Sequence, residues 1–164
     1  MQKLILFAVA TAISAPAMAA PGDSATGTGA ATAEVVSPIT LTHVTGASLN
    51  FGTFTTGSIS GSILVDQAGN GSVNSGDVTL VSGSTEAADQ FTVGGDSNRA
   101  FTITTGAGSV SNGTDTMAFS TSAPASGTLV GGAASFSVGG ELFVNGGESA
   151  GVYNGSYSVT VAYN

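Results

Sequence analysis

Short segments in which apolar and polar residues alternate recur along the chain from residue 31 to the C-terminus, separated by turns rich in Gly, Asn and Ser. In residues 100–105, for example, Phe101 and Ile103 alternate with threonines. A period of two places one face of a strand in a core and the other in water, which is typical of antiparallel sheets. Segments that recur about every 8 to 12 residues are typical of a sandwich or a barrel.

The composition agrees with this pattern and argues against helices. Only 7% of the residues are charged and 25 are Gly, whereas long solvated helices need Glu, Lys, Arg and Gln. Cysteine is absent, so no disulfide framework is available and the core depends on hydrophobic burial alone. We therefore predict an all-β fold.

The apolar segments and the turn residues between them predict individual strands. The predicted strands cover residues 31–36, 39–44, 49–54, 60–67, 77–83, 89–95, 100–105, 117–122, 134–144 and 156–163. Pro38 separates the first two, because proline cannot lie within a central ladder. Four Asn-Gly pairs, which begin at residues 70, 112, 145 and 154, favour the positive φ of tight turns. Two of them are expected to close hairpins, one with residues 151–164 around it.

The N-terminus has the pattern of a signal peptide over residues 1–19. Lys3 precedes a short apolar run, and Ala17-Met18-Ala19 matches a signal peptidase site. We expect export through the inner membrane, a transient periplasmic stage and a final location outside the cell or on its surface. Cleavage leaves Arg99 as the single basic side chain beside ten carboxylates, a balance that repels nucleic acid and anionic lipid. Neither nucleic acid nor a membrane is therefore an expected partner.

Residues suited to catalysis are few. The single histidine, His43, lies in a Thr-rich segment, and no serine has the flanking glycines of a G-x-S-x-G turn. Hydrolysis of a glycosidic bond needs paired carboxylates, for which four loop candidates exist, Asp66, Asp77, Asp89 and Asp96. No tryptophan is present to stack a sugar. We expect His43 at an edge or surface, no enzymatic activity and no cofactor.

Metal binding and charge pairing have one candidate each. Residues 66–77 offer oxygen ligands of the kind that calcium prefers, from Asp66, Asn70, Asn74 and Asp77. Their spacing is not that of an EF-hand, and a polar turn between two strands explains the segment equally well. We assign no metal site on this basis. Arg99 is expected to pair with a nearby carboxylate such as Asp96.

Five motifs in order resemble a known family. They are "A-x-V-x-x-P-x-x-L" near the start, "L-N-F-G", "F-T-V-x-G", "V-G-G-x-L" and the closing "G-x-Y-x-G-x-Y-x-V-T-V-x-Y", which together cover about residues 31–164. This sequence is similar to a secreted bacterial family known as the domain of unknown function 4402. The layout of that family resembles the pilin subunits of chaperone-usher fimbriae.

The resemblance implies a single immunoglobulin-like, pilin-like antiparallel β-sandwich over residues 38–164, after an N-terminal extension of residues 20–37. By this resemblance the extension is a donor strand, with Ala31, Ala33 and Val35 on one face. The C-terminal strand then borders the acceptor groove, and period two places Tyr157, Val159, Val161 and Tyr163 on its inner face.

The function implied is a non-enzymatic structural subunit of a surface fimbria or filament. Its partners would be like subunits in a homopolymer, with a periplasmic chaperone and an outer-membrane usher during assembly. The alternative is a monomeric secreted module that binds carbohydrate or calcium.

These expectations predict opposite effects for changes at the two ends of the chain. Tyr163→Ala, or removal of residues 157–164, should abolish folding or assembly, because an inner-face aromatic or the whole last strand is lost. Removal of residues 20–30 should leave the fold of the monomer intact. Thermal denaturation followed by circular dichroism, together with sedimentation velocity, measures both effects. A truncated protein that melts and sediments like the intact chain would contradict the first expectation.

Overall fold

The computed structural model describes residue 22 and residues 24–164. The predicted signal peptide, residues 1–19, lies outside the described residues. The chain divides between Glu34 and Val35 into two units. In the first unit, residues 24–34 have exposed side chains and no regular secondary structure. The prediction of a strand over residues 31–36 is wrong for the single chain, because a strand needs a partner ladder and none of the described strands pairs with these residues.

The second unit, Val35–Asn164, contains eleven strands and no helix. They are β1 (Thr40–His43), β2 (Phe54–Val65), β3 (Gly71–Leu80), β4 (Asp89–Gly94), β5 (Ala100–Thr105), β6 (Gly108–Ser111), β7 (Thr116–Ser122), β8 (Ser126–Thr128), β9 (Ala133–Val144), β10 (Asn154–Ser156) and β11 (Val159–Tyr163). Within the described part of the chain, no helix is long and apolar enough to cross a membrane.

The strands form two antiparallel sheets. The larger sheet has the order β1-β4-β9-β7-β6-β10, and β2 also pairs with β9 and carries β3 on its other side. The smaller sheet has the order β11-β5-β8. The prediction of an all-β antiparallel sandwich is confirmed.

Strand β9 connects the parts of the larger sheet. Its first half pairs with β4, and its second half pairs with β2 and β7. Its even-numbered side chains point inward, and those of Phe136, Val138, Leu142 and Val144 are buried. A Cβ at Gly140 would lie 2.4 Å from a backbone oxygen of β7, so glycine permits the close approach of that strand.

The core consists of two clusters. The first cluster is centred on β2, β7 and the second half of β9. It contains Phe51, Ile63, Val65, Val78, Met117, Phe119, Leu142 and Val144. The other lies between β4, the first half of β9 and the smaller sheet, and contains Phe91, Val93, Phe101, Ile103, Leu129, Phe136 and Val138. Tyr157 packs against both clusters.

Two of the four Asn-Gly pairs, Asn112-Gly113 and Asn154-Gly155, lie in different kinds of structure. Asn112-Gly113 turns the chain between β6 and β7, and Gly113 has a φ of 92°. Asn154-Gly155 lies inside β10, so the predicted hairpin of residues 151–164 is wrong. Instead, β10 pairs with β6 and β11 pairs with β5. The partner strands come from distant sequence, which outweighs the local turn preference of the Asn-Gly pair.

Segment boundaries also differ from the prediction in places. Residues 49–53 do not form a strand, and Asn50 makes only an isolated bridge with Ala87. The short strands β6, β8 and β10 were not predicted, since Ser and Gly give them no apolar alternation. Each of the other predicted segments from β1 onward overlaps an observed strand, although β2 and β3 begin before the segments predicted for them.

The two isoleucines of β2 provide a test of the core. Ile63 is fully buried and Ile59 is 65% exposed. Ile63→Ala should lower the free energy of unfolding by about 3 kcal/mol, because it removes buried methyl groups and leaves a cavity. Ile59→Ala, the control in the same strand, should change it by less than about 0.5 kcal/mol. Chemical denaturation measures both values, and similar losses in the two variants would contradict the assigned register.

Candidate functional site

The C-terminal strand lies at the edge of the smaller sheet. The backbone N–H of Gly106 donates to the oxygen of Ser158 at 2.9 Å, and that of Asn164 donates to the oxygen of Ala100 at 3.2 Å. Because bonded and non-bonded pairs alternate in an antiparallel ladder, the even-numbered residues bond to β5. Val159, Val161 and Tyr163 therefore turn their N–H and C=O groups to the opposite edge. No strand within the described residues pairs with that edge.

Strand β10 continues this edge toward the larger sheet. Asn154 pairs with Ser111 of β6, and the ladder continues through Ser156. One residue later the chain reaches Tyr157 and then pairs with β5. Residues 154–164 thus form one edge that passes from the larger sheet to the smaller one, and among the described strands only β6 and β5 pair with it.

The side chains of the C-terminal strand follow the predicted period of two. The inner-face residues Tyr157, Val159, Val161 and Tyr163 are half-buried and pack against the second core cluster. The alternate residues, such as Thr160, are exposed. These four residues thus share one face of the strand, and none of them is fully covered.

Strand β1 forms an edge of the larger sheet. It pairs with β4 alone among the described strands, and the N–H of Val44 donates to the oxygen of Gln90 at 3.0 Å. The same alternation then directs the backbone groups of Leu41 and His43 away from β4. Their side chains line a groove that Tyr157 and Val159 also line.

The groove between these two edges has a volume of about 590 Å³. The rings of Phe91 and Phe119 lie at its base, and the Tyr157 ring contacts each of them edge-on at 6.4 and 6.0 Å. A second groove of about 630 Å³ lies between residues 51–56 and 148–153. The two share lining residues, including Leu49, Val110, Val152 and Tyr153, so they adjoin.

A buried carboxylate joins the walls of the first groove. Asp89 is only 5% exposed. Its Oδ1 lies 2.6 Å from Nε2 of His43 and accepts the N–H of Gln90 at 2.8 Å, and its Oδ2 accepts the hydroxyl of Tyr157 at 2.7 Å. Asp89 therefore connects β1, β4 and the residue that leads into β11. Burial, followed by the hydrogen bond and the charge of Asp89, raises the pKa of Tyr157 above its usual value.

A second tyrosine makes the connection at the other end of β11. The hydroxyl of Tyr163 donates to the backbone oxygen of Ser37 at 2.9 Å and accepts the N–H of Asp96 at 2.7 Å. Arg99 Nε donates to Asp96 at 3.2 Å, as expected for this pair. The penultimate residue of the chain is thus bonded to the segment that precedes β1.

The structure leaves the predicted donor residues exposed. Ala31 and Ala33 lie in the first unit, and Val35, at the start of the second, is 95% exposed. The expectation that His43 lies at an edge or surface is confirmed, because β1 is an edge strand. Its contact with Asp89 was not predicted. Asp89 was considered both as a loop carboxylate and as the first residue of the predicted strand 89–95, and it begins β4. The apolar residues that follow Asp89 at every second position, beginning with Phe91, are the signal that could have indicated its burial.

The four candidate calcium ligands do not converge. Asp66 accepts hydrogen bonds from the backbone and side chain of Asn70 in the turn between β2 and β3. Asn74 and Asp77 lie in β3, where Asn74 donates to Glu141 at 2.7 Å and Asp77 lies over Gly57. Among the described residues, no three acidic, histidine or cysteine side chains are grouped as for a metal ion. Asp66 and Asn70 are thus residues of a polar turn.

The raised pKa of Tyr157 predicts an effect of alkaline pH. Above about pH 10 the unfolded chain loses the Tyr157 proton while the folded chain keeps it, so the stability due to this group falls as pH rises. In Tyr157→Phe, the free energy of unfolding should therefore fall less steeply between pH 9.5 and 11 than in the unmodified chain. Guanidinium denaturation at each pH gives the two slopes, and equal slopes would contradict the buried hydrogen bond.

Comparison with known proteins assigns the family. No curated protein and no solved structure matches the chain. The family model described as "Domain of unknown function (DUF4402)" matches residues 39–163, from the residue before β1 to the end of β11. The match includes both edges of the groove and agrees with the motifs found in the sequence. The chain belongs to the DUF4402 family.

Proposed function

We propose that the protein is a non-enzymatic structural subunit of a bacterial surface filament. In this proposal the N-terminal extension of one subunit adds as a strand to the groove of the next. One observation carries the proposal: one side of residues 154–164 pairs with no strand among the described residues, and it lies beside a groove lined by aromatic and polar side chains. Strand addition of this kind obtains affinity from main-chain hydrogen bonds and specificity from alternating side chains.

A comparison of two edges supports the proposal. Strand β3 also has an unpaired edge, but its ladder with β2 contains two register shifts, and Gly76 has a φ of 77°. Asp77 adds a charge there. Such features protect an edge from other chains. Residues 159–163 contain no charge, Pro or Gly, and their ladder with β5 has no register shift. The edge formed by residues 159–163 is therefore regular and chemically suited to pairing with another strand.

The extension has side chains that suit the groove. The rings of Phe91, Phe119 and Tyr157 already fill its base, which leaves a shallow space for an incoming strand. Ala31, Ala33 and Val35 are small, and period two places them on one face. The contact would join two different surfaces of like subunits. Such a heterologous contact does not close on itself and produces a filament.

The proposed route of assembly follows from the same edge. An unpaired, uncharged strand edge is prone to pair with other chains before the correct subunit arrives. A periplasmic chaperone that covers the groove, and an outer-membrane usher that exchanges it for a subunit, would solve this problem. We propose both as transient partners, with export by the N-terminal signal and a final location at the cell surface.

The proposal predicts that the exported chain, residues 20–164, forms polymers that depend on the extension. Deletion of residues 20–36, which keeps Ser37 as the acceptor for Tyr163, should leave the melting temperature nearly unchanged and abolish polymers. Val35→Asp should reduce polymer formation at least tenfold, because it places a charge against the aromatic base of the groove. Sedimentation velocity and negative-stain electron microscopy measure the result.

The matched control is Thr32→Asp, which adds the same charge to the opposite face of the extension. It should polymerise nearly as well as the unmodified chain. The proposed function would be wrong if residues 20–164 remain monomeric after refolding from denaturant. It would also be wrong if polymers still form without residues 20–36.

A further inference from the structure

The unpaired edge is longer than residues 31–36, the strand predicted within the extension. Residues 154–164 span about 36 Å at roughly 3.3 Å per residue, and the adjoining groove continues this line to Glu148. Residues 31–36 would span only about 20 Å in extended form. A donor limited to those six residues would leave a large part of the edge and the second groove uncovered.

The second groove, like the first, is lined by residues of a core cluster. Phe51, Met117 and Leu142, all members of the first core cluster, line it. At the junction of the two grooves, Val152 lines both and is 78% exposed. The groove lining therefore continues past β11 to the side of β10, with Val152 as an exposed apolar residue at the junction.

The chain preceding residue 31 has the chemistry of a strand that could extend along both grooves. Residues 24–30 contain no charged residue and no proline, so every position has a backbone N–H for a ladder. They are exposed and without regular secondary structure. Residues 24–36 together would span about 43 Å, which exceeds the length of the edge.

The edge also bends where it changes sheets, and an added strand must bend with it. Ser156 pairs with Ser109 in one ladder, and Ser158 bonds to Gly106 in the next, which leaves one extra residue on the partner strand. Such an extra residue is a bulge, at which a strand kinks and twists. Gly27 and Gly29 give the extension the backbone freedom that a kink requires.

We infer that residues 24–36 of a second copy occupy both grooves as one continuous strand, so that the Gly-rich residues 24–30 belong to the contact between subunits. This inference rests on the proposed function. It goes further by assigning a binding role to the second groove and to the segment that the sequence alone treats as dispensable for the fold.

Peptide inhibition of the full exported chain tests the inference. A peptide of residues 24–37 should halve the rate of polymer growth at a concentration at least tenfold lower than a peptide of residues 31–37. The longer peptide with Gly27→Pro and Gly29→Pro should lose that advantage, because each proline removes a ladder donor. Polymer growth is followed by light scattering, and a scrambled 24–37 peptide serves as the control.

A pair of variants locates the effect on the protein. Ala150→Asp in the full chain, at an exposed residue that lines the second groove and not the first, should weaken inhibition by the longer peptide and leave that by the shorter one nearly unchanged. Val130→Asp is the matched control, because Val130 is 76% exposed and lies outside both grooves. It should change neither inhibition.

The outcomes separate the inference from the proposed function. Equal inhibition by the two peptides, in a chain that polymerises through residues 20–36, would overturn the inference and leave the proposed function intact. Polymerisation that neither peptide inhibits would overturn the inference as well. A chain that does not polymerise at all would overturn both.

Discussion

Backbone hydrogen bonding along residues 154–164 is the constraint on which the rest of the structure depends. One side of this edge is satisfied by β6 and β5, and no described strand pairs with the other. The inner side chains of β11 are consequently half-buried, although they pack on the core. Both core clusters reach the grooves beside this edge, because Phe91 lines the first and Phe51 the second. The core of the sandwich is thus only partly covered beside this edge.

The sequence predicted the strands whose side chains alternate strongly, because burial on one face is encoded locally. The segment of β5 was predicted to the residue, and those of β7 and β9 to within one residue. The short strands β6 and β10 could not be predicted, since Ser and Gly show no apolar period. They are strands only because distant segments pair with them. The position of Asn154-Gly155 could not be predicted either. The turn preference of this dipeptide is outweighed by the ladder with β6, in which Gly155 pairs with Val110, 45 positions away.

The candidate site was predicted in outline and not in its polar contacts. The inner face of the C-terminal strand follows from period two alone. The bonds of Asp89 to His43 and Tyr157 join residues that are 46 and 68 positions apart, and nothing in either local sequence indicates the partner. A carboxylate in a Gly- and Ser-rich chain suggests a loop, whereas this one is buried with three donors or potential donors. Such satisfaction is what makes burial of a carboxylate tolerable.

The hydrogen bonds of Tyr157 and Tyr163 fix the positions of the two walls of the first groove. Closing the sandwich along this line would bury more apolar surface, which favours collapse. Tyr157 fixes one end of the edge to Asp89, and Tyr163 fixes the other end to Ser37 and Asp96. Each hydrogen bond contributes only about 1 kcal/mol, but leaving the buried carboxylate without its donors costs more. These bonds join the two walls at each end of β11 and thereby set their separation. The separation of the walls is then a property of the folded chain, and an added strand would meet a groove that is already formed.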